Sequence, residues 1–532
     1  MNIVCFVLFL ALSTAGFGSL LIYYMHMFQL DSYKADEQLR FMRTNVGSLL
    51  GRVMGCIIAL ILLCVCMVNG SRACMIAAAV FQFMTFWGNR PWARHAKRPL
   101  VYTGRVRRML VTTGIIYILV LILAHVLGIF FLDGMSLFAW TGAVSTALCL
   151  LVPFILFLSN VINHPLEESI NNRYINEAKQ IIDGMPHLTV IGITGSFGKT
   201  STKYFLTKLL SGSYNVLMTP GNYNTVLGVT KTVREQLLPT HEVFVCEMGA
   251  RRVKEIKGVC DIVSPDMGVI TSIGAQHLET FGSMENIIHT KLELADAVPA
   301  GGKVFLNYDN EILRSQSIQK DVVTYGLENK NTDFHPENVR VSEKGSEFDI
   351  SFPDGSRGHF ITPLIGSHNV LNLAGCIAVA YYMKVPVEVM VRQAKHLEAV
   401  PHRLQLVSSG RGLIIDDAYN SNPAGAKAAL DTLKMFDGLH ILVTPGMVEL
   451  GEKQHELNRI FGEQAAESCD YIALVGAHQT EPIAEGVRAK GFPEDRLFIV
   501  SDLSEALAKV NAIKSPDKQK VILLENDLPD NY

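Results

Sequence analysis

The run Val190-Ile-Gly-Ile-Thr-Gly-Ser-Phe-Gly-Lys-Thr200 combines glycines, hydroxyls and a lysine in the order that can hold a phosphate. An apolar, strand-like stretch ends at Ile193, a glycine-rich turn follows, and Ser201–Leu210 continues with helical spacing. In that context the amides of the turn and of the helix N-terminus face phosphate oxygens. Lys199 would bring a point charge to the β- and γ-phosphates, and the Thr200 hydroxyl would ligate Mg2+. The spacing, T-G-x-x-G-K-T over Thr194, Gly195, Ser196, Phe197, Gly198, Lys199 and Thr200, departs from G-x-x-x-x-G-K-[ST], whose first glycine would fall at Ile193. Alone, the loop indicates a nucleotide and leaves the reaction open.

Three more residues have suitable chemistry. Glu247 follows the strand-like Val243–Cys246, and His277 follows Gly268–Ile273; both emerge near the loop if those strands flank the first in a parallel sheet. A carboxylate there suits Mg2+. Imidazole is an uncommon Mg2+ ligand, so a structural or substrate-orienting His277 is an equal reading. Lys291, on the next helical pattern, reads from spacing alone as a solvated surface lysine.

The elements that must position these groups are those of an α/β protein. Short β-branched runs alternate with helical patterns: Leu188–Ile193, Val243–Cys246, Gly268–Ile273, Val304–Leu306, Leu413–Ile415, Ile441–Val443, Tyr471–Val475, Leu497–Val500 and Val521–Leu524. Such alternation predicts parallel sheets covered by helices. Between Asp321 and Gly366 polar-alternating segments such as Phe348–Phe352 predict a small antiparallel insertion. Pro401–His402 reads as a joint between two α/β units, and His164–Asp183 as an amphipathic connecting helix.

What precedes that helix is different in kind. Residues 1–160 carry 12 Lys and Arg against 4 Asp and Glu, whereas the remainder carries 35 against 46. Five apolar stretches, Ile3–Met27, Val53–Val68, Ala73–Trp87, Met109–Leu132 and Met135–Leu158, approach the ~20 residues that cross ~30 Å of hydrocarbon. The loop Asn89–Arg108 holds Arg90, Arg94, Lys97, Arg98, Arg105, Arg107 and Arg108, which predicts a cytoplasmic loop and hence a cytoplasmic α/β region. Flanked by spans, these charges suit anionic lipid headgroups and argue against a nucleic-acid partner. The expected site is therefore a multi-pass cell membrane, with the lipid bilayer as a partner.

The 532 residues, 49% hydrophobic and 18% charged, exclude a single small module and a disordered chain. The ten cysteines exclude a metal or disulfide framework: six lie in the apolar third, and Cys246, Cys260, Cys376 and Cys469 are isolated without any C-x-x-C.

From about Leu188 onward the chain resembles the Mur ligases, ATP-dependent amide-forming enzymes of peptidoglycan precursor synthesis, most closely those of the MurF type. The resemblance is carried in order by Thr194–Thr200, Thr219-Pro-Gly-Asn-Tyr-Asn-Thr225, Glu247-Met-Gly-Ala250, His277-Leu-Glu279, Lys291, Asn307 with Asp309, Gly366-Ser-His-Asn-Val-Leu-Asn372, His402-Arg403, Asp416-Asp-Ala-Tyr-Asn-Ser-Asn-Pro423 and Glu449-Leu-Gly451. It implies an α/β fold: a Mur ligase-like P-loop central domain over 186–400 and a C-terminal Rossmann-like domain over 401–532. The membrane region, 1–160, and the connecting helix, 161–185, would precede them. It implies ATP at Thr194–Ser201, Asn369, Asn372, Arg403 and Asp417. It also implies Mg2+, as two ions, at Thr200, Glu247 and His277, and a carbamylated Lys291. Lys199, Lys291, His277 and Asp417 would be catalytic, and Asn222, Asn224, Thr225, Tyr419, Asn420 and Asn422 would face substrate.

The implied reaction has two steps. A carboxylate-bearing cell-wall precursor, UDP-N-acetylmuramoyl-tripeptide, attacks the γ-phosphate to give an acyl phosphate, and the amine of D-alanyl-D-alanine then displaces phosphate. The sequence departs from the type in three places: membrane spans stand where a UDP-sugar-binding domain would be, the substrate loop reads Asn224-Thr225, and Pro445-Gly-Met447 lacks an acidic residue. A membrane-associated poly-γ-glutamate synthase, a ligase of lipid-linked substrates, and a nucleotide-binding scaffold recruiting cell-wall membrane proteins remain as other readings. A transporter is disfavoured, because the spans lack charge at mid-membrane.

Overall fold

A computed structural model describes residues 2–31, 33–90, 99–132, 134–409, 412–419, 421–448, 450–515 and 518–527. They form two compact units, divided between residues 171 and 172.

The first unit is helical. Ile3–Leu30, Val46–Asn69 and Gly104–Ile129 are long and apolar enough to cross a membrane. Gly134–Leu150 and Val152–Asp183 qualify only as a pair, bent by 74°. Among the described residues three or four candidate spans thus replace the five expected. Met135–Leu158 is broken because Pro153 has no N–H to continue the ladder past Leu151. Arg72–Asn89 has 18 residues, a rise of about 27 Å, and buries Gln82 and Thr85. Polar side chains join these helices: Ser13 Oγ lies 2.6 Å from Ser145 Oγ, Tyr117 OH lies 2.8 Å from the same atom, and Gln82 Nε2 donates to Thr146 Oγ1 at 2.9 Å. Of the basic loop, Arg94, Lys97 and Arg98 lie outside the described residues.

In the second unit a six-stranded parallel sheet has the order β2 (Val216–Met218), β3 (Val243–Glu247), β1 (Thr189–Thr194), β4 (Met267–Ile270), β5 (Lys303–Asn307), β6 (Asp321–Tyr325). Strands β3 and β4 flank β1, which meets the condition for Glu247 and His277 to emerge near the loop. Period-2 alternation divides each strand between two cores. Ile191, Ile193, Val243 and Val245 meet Phe205, Leu209 and Leu373, while Val190, Phe244 and Cys246 meet Val259 and Leu294. The antiparallel insertion is smaller than expected. It comprises β7 (Pro336–Ser342), β8 (Gly345–Ser351) and β9 (Arg357–Thr362), whereas β6 extends the parallel sheet.

The second large sheet runs β10 (Gln405–Ser409), β11 (Gly412–Asp417), β15 (Lys520–Glu525), β12 (Leu439–Thr444), β13 (Tyr471–Val475), β14 (Leu497–Val500), parallel except for β10. Strand β15, last in sequence, lies between β11 and β12, with Asp417 opposite Glu525. Asp416 and Asp417 end one central strand and Glu525 ends its neighbour, so three carboxyl groups reach one sheet edge. All ten cysteines are free thiols.

Candidate active site

The glycine-rich loop connects β1 to the helix Lys199–Leu210. Gly195 has φ 151° and Gly198 has φ 81°, and both are in close contact. A Cβ on Gly195 would lie 2.0 Å from Thr271 Oγ1, and one on Gly198 2.7 Å from Asn372 Oδ1, so only glycine fits either place. The Ser196 amide donates to Ser272 O at 2.8 Å, the Phe197 amide to Ser272 Oγ at 2.8 Å, Ser196 Oγ to Gly274 O, and Thr194 Oγ1 to Met248 O. These two amides therefore hold the loop to the segment after β4. The amides of Lys199, Thr200 and the buried Ser201 open the helix and have no acceptor within it.

Lys199 curls back onto the loop, its Nζ donating to Gly195 O at 2.6 Å and Ser196 O at 3.0 Å. Burial, with Arg403 nearby and against the pull of Glu247, pushes its ammonium down to about 8. Glu247, 2% exposed, is the focus of the site. Its Oε1 accepts from Asn224 Nδ2 at 2.9 Å and Thr200 Oγ1 at 3.2 Å. Lys203, wholly buried, places Nζ 2.9 Å from Oε2 and donates to Gly221 O at 2.7 Å. Burial pushes Glu247 up, but the Lys203 and Lys199 charges and the Asn224 hydrogen bond outweigh it and hold the carboxyl below its usual range. Lys203 is a site residue that the sequence reading missed; its signal is a lysine one turn after Lys199 in a helix that also buries Phe205, Leu206 and Leu209.

Lys291 is not on the surface. It is 3% exposed, and burial together with the Lys199 charge, opposed by Glu255, Glu293 and Glu247, pushes its ammonium well down. His277 holds a left-handed φ of 53° and accepts the Thr280 and Phe281 amides on its carbonyl, starting the short helix Leu278–Phe281. Thr200 and Glu247 offer Mg2+ two hard oxygens that already touch. Among the described residues no three His, Cys, Asp or Glu side chains form a metal cluster.

A second group surrounds the joint. Asn372 abuts Gly198, while Asn369 Nδ2 donates to Ile365 O at 2.9 Å. Burial pushes His368, between them and Gly366, down to about 4. His402 and Leu404 have φ 59° and 45°, placing Arg403 between two strained residues. The Arg403 guanidinium lies 4.4 Å from the Tyr419 ring centroid. Asp417 Oδ1 accepts the Leu404 amide at 3.1 Å, and His402 Nδ1 lies 2.7 Å from Asp416 Oδ2. Burial pushes Asp417 up to about 6, against the Leu404 amide and Arg403.

The remaining expected residues divide. Asn224 joins the Glu247 cluster. Asn222 is exposed, Thr225 caps the helix Val226–Gln236 by accepting from Gly228 N, and Asn422 caps Pro423–Leu433 by accepting from Gly425 N. Asn420 and Glu449 lie outside the described residues.

With this geometry in place, known proteins bear on it. Residues 193–380 match the Mur ligase middle domain, and residues 402–524 the Mur ligase, glutamate ligase domain. The UDP-N-acetylmuramoyl-tripeptide--D-alanyl-D-alanine ligase of Bacillus subtilis is 34% identical over 332 residues, 61% of this chain and 71% of that protein. Its Escherichia coli counterpart is 32% identical over 329 residues, 61% and 72%. Among solved structures, MurF from Acinetobacter baumannii has a TM-score of 0.60 at 26% identity, covering 67% of this chain and 77% of that one. MurF from Thermotoga maritima in complex with ADP has a TM-score of 0.60 at 26% identity, covering 67% and 80%.

Proposed function

The chain belongs to the Mur ligase family, and on that premise we propose that it is an ATP-dependent ligase joining D-alanyl-D-alanine to UDP-N-acetylmuramoyl-tripeptide in peptidoglycan precursor synthesis. The observation that carries the reading is the convergence of Lys199, Thr200 and Glu247 at the glycine loop, with Arg403 near enough for its charge to act on both Lys199 and Asp417. The helix N-terminus and Lys199 bind the ATP phosphates, and Asn369, Asn372, Arg403 and Asp417 hold the rest of the nucleotide. Thr200, Glu247 and His277 would hold Mg2+, which would supply charge neutralisation for phosphoryl transfer. Burial makes the Lys291 ammonium give up its proton more readily, which favours uptake of CO2, and the resulting carbamate would supply a further anionic oxygen donor.

Residues 1–160 anchor the enzyme in the cell membrane, 161–185 form the connection, and 186–400 and 401–532 are the two catalytic domains in the cytoplasm. The decisive experiment incubates detergent-solubilised protein with ATP, Mg2+, UDP-N-acetylmuramoyl-tripeptide and D-alanyl-D-alanine, or with glutamate alone, and identifies the product by mass. The pentapeptide product supports the reading, and a glutamate polymer replaces it with the γ-glutamate ligase alternative. Lys199→Ala and Asp417→Ala should each abolish ADP release that depends on both substrates; undiminished turnover overturns the site.

A further inference from the structure

The last strand ends in a side chain that the reaction as described does not use. Glu525 is 1% exposed and stands directly opposite Asp417 in the β11–β15 register. One oxygen, Oε1, accepts the Ser421 hydroxyl at 2.6 Å. The other, Oε2, is buried with no hydrogen-bond partner among the described residues, and the register sets the Asp417 side chain beside that of Glu525. The next residue extends the link: the Asn526 amide donates to Asp417 O at 3.2 Å, and Asn526 Nδ2 to Gly446 O at 2.6 Å. The end of β15 thus ties the 417–421 loop to the loop after β12.

Two carboxyl groups this close in a buried place do not both ionise; one proton between them is the lower state. We propose that Glu525 is a positioning residue for the ligation, a neutral carboxylic acid that shares its proton with Asp417 and fixes that carboxylate and the Ser421 loop for nucleotide binding. This rests on the reading of Asp417 as an ATP-contacting residue. The surrounding charges agree with a single proton. Arg403 and the Leu404 amide favour the ionised form at Asp417, Asp416 opposes it and is itself engaged by His402, and burial and Asp417 hold Glu525 in its acid form. Nothing in the Asp416–Pro423 motif announces Glu525, which lies more than a hundred residues further on.

The test compares Glu525→Gln, which keeps a neutral hydrogen-bond donor of the same shape, with Glu525→Ala and Ser421→Ala in the full chain in detergent. ADP release is measured against ATP concentration and pH, and melting curves establish folding. Expected are an approximately tenfold higher KM for ATP in Glu525→Ala, the loss of roughly one well-placed hydrogen bond, a smaller rise in Ser421→Ala, and near-native KM in Glu525→Gln. Lys199, with its ammonium at about 8, gives every variant an alkaline decline, and the wild type, which also loses the shared proton, should decline more steeply than Glu525→Gln. A folded Glu525→Gln as impaired as Glu525→Ala, an unaffected Glu525→Ala, or the same alkaline decline in Glu525→Gln overturns the proposal. If Glu525→Ala does not fold, Glu525→Gln and Ser421→Ala decide it. Wild-type protein without two-substrate ADP release overturns instead the ligase reading.

Discussion

Glu247 and Glu525 each end a strand of a parallel sheet, each is almost wholly buried, and each is kept there by a different means. At Glu247 burial is offset by cations: Lys203 touches one oxygen, Lys199 adds its field, and Asn224 and Thr200 bind the other oxygen. At Glu525 there is a second carboxyl and a serine hydroxyl, and burial is offset by a proton. The difference matches the two tasks. An ionised carboxylate beside a glycine-rich loop can hold a divalent cation, whereas a shared proton would keep charge off the sheet edge that is proposed to face the nucleotide.

The sharpest way to break the comparison is to remove the cation. Lys203→Met leaves Glu247 buried and ionised without its partner, and should destabilise the second unit by about 3–5 kcal/mol, read as a lower urea midpoint. Lys203→Met with Glu247→Gln should recover most of this. If the double variant is no better than the single one, Lys203 acts by packing and the ion pair is incidental.

Titration separates the two carboxyl groups by sign. Glu247 is depressed below its usual range, so it contributes stability above the unfolded carboxylate pKa and loses it as pH falls through the folded value. Asp417 is raised to about 6, so its contribution is complete below about 4 and is lost as pH rises through 6. Glu247→Gln should therefore lower the melting temperature at neutral pH, with the gap closing in acid. Asp417→Asn should raise it above pH 6 and match wild type near pH 4. Parallel pH profiles for the two variants would erase the distinction.

The two ends of this contrast were not equally legible in the sequence. The phosphate loop is local: glycines, lysine and threonine sit within seven residues between a strand and a helix, so short-range rules find it. Glu247 was readable as the residue after an apolar run. Lys203 was not, and Lys291 was named only by the family resemblance, because helical spacing does not say which polar residue a neighbouring strand or helix will cover. Glu525 was hidden more deeply, since its partner is set by β15 entering between β11 and β12, a crossover that periodicity does not encode. The helical unit shows the same limit: apolar runs were visible, but the break after Leu150 and the polar face of Arg72–Asn89 reduced five expected spans to three or four candidates among the described residues.

A smaller effect lies in the Asn224 hydrogen bond. Asn224→Ala removes one neutral donor from Glu247 while both lysines remain, so the carboxylate keeps most of its support. Stability should fall by about 0.5–1.5 kcal/mol, well short of Lys203→Met. A loss as large as that of Lys203→Met would make the amide, and not the cation, the main support of Glu247.

The smallest expected effect tests how the two groups communicate. Arg403 acts on Lys199 and Asp417 alike, and its guanidinium lies over the Tyr419 ring with Nε buried and without a hydrogen-bond partner among the described residues. The ring then does more for its position than a hydrogen bond does. Tyr419→Phe keeps the π-face and should bind ADP as wild type does. Tyr419→Leu should weaken binding about two- to fivefold, the ~0.5–1 kcal/mol of a half-exposed cation–π contact, measured by calorimetric titration. Equal losses in Phe and Leu would assign the contact to the phenol hydroxyl, and no loss in either would leave Arg403 held by the strained backbone at His402 and Leu404 alone.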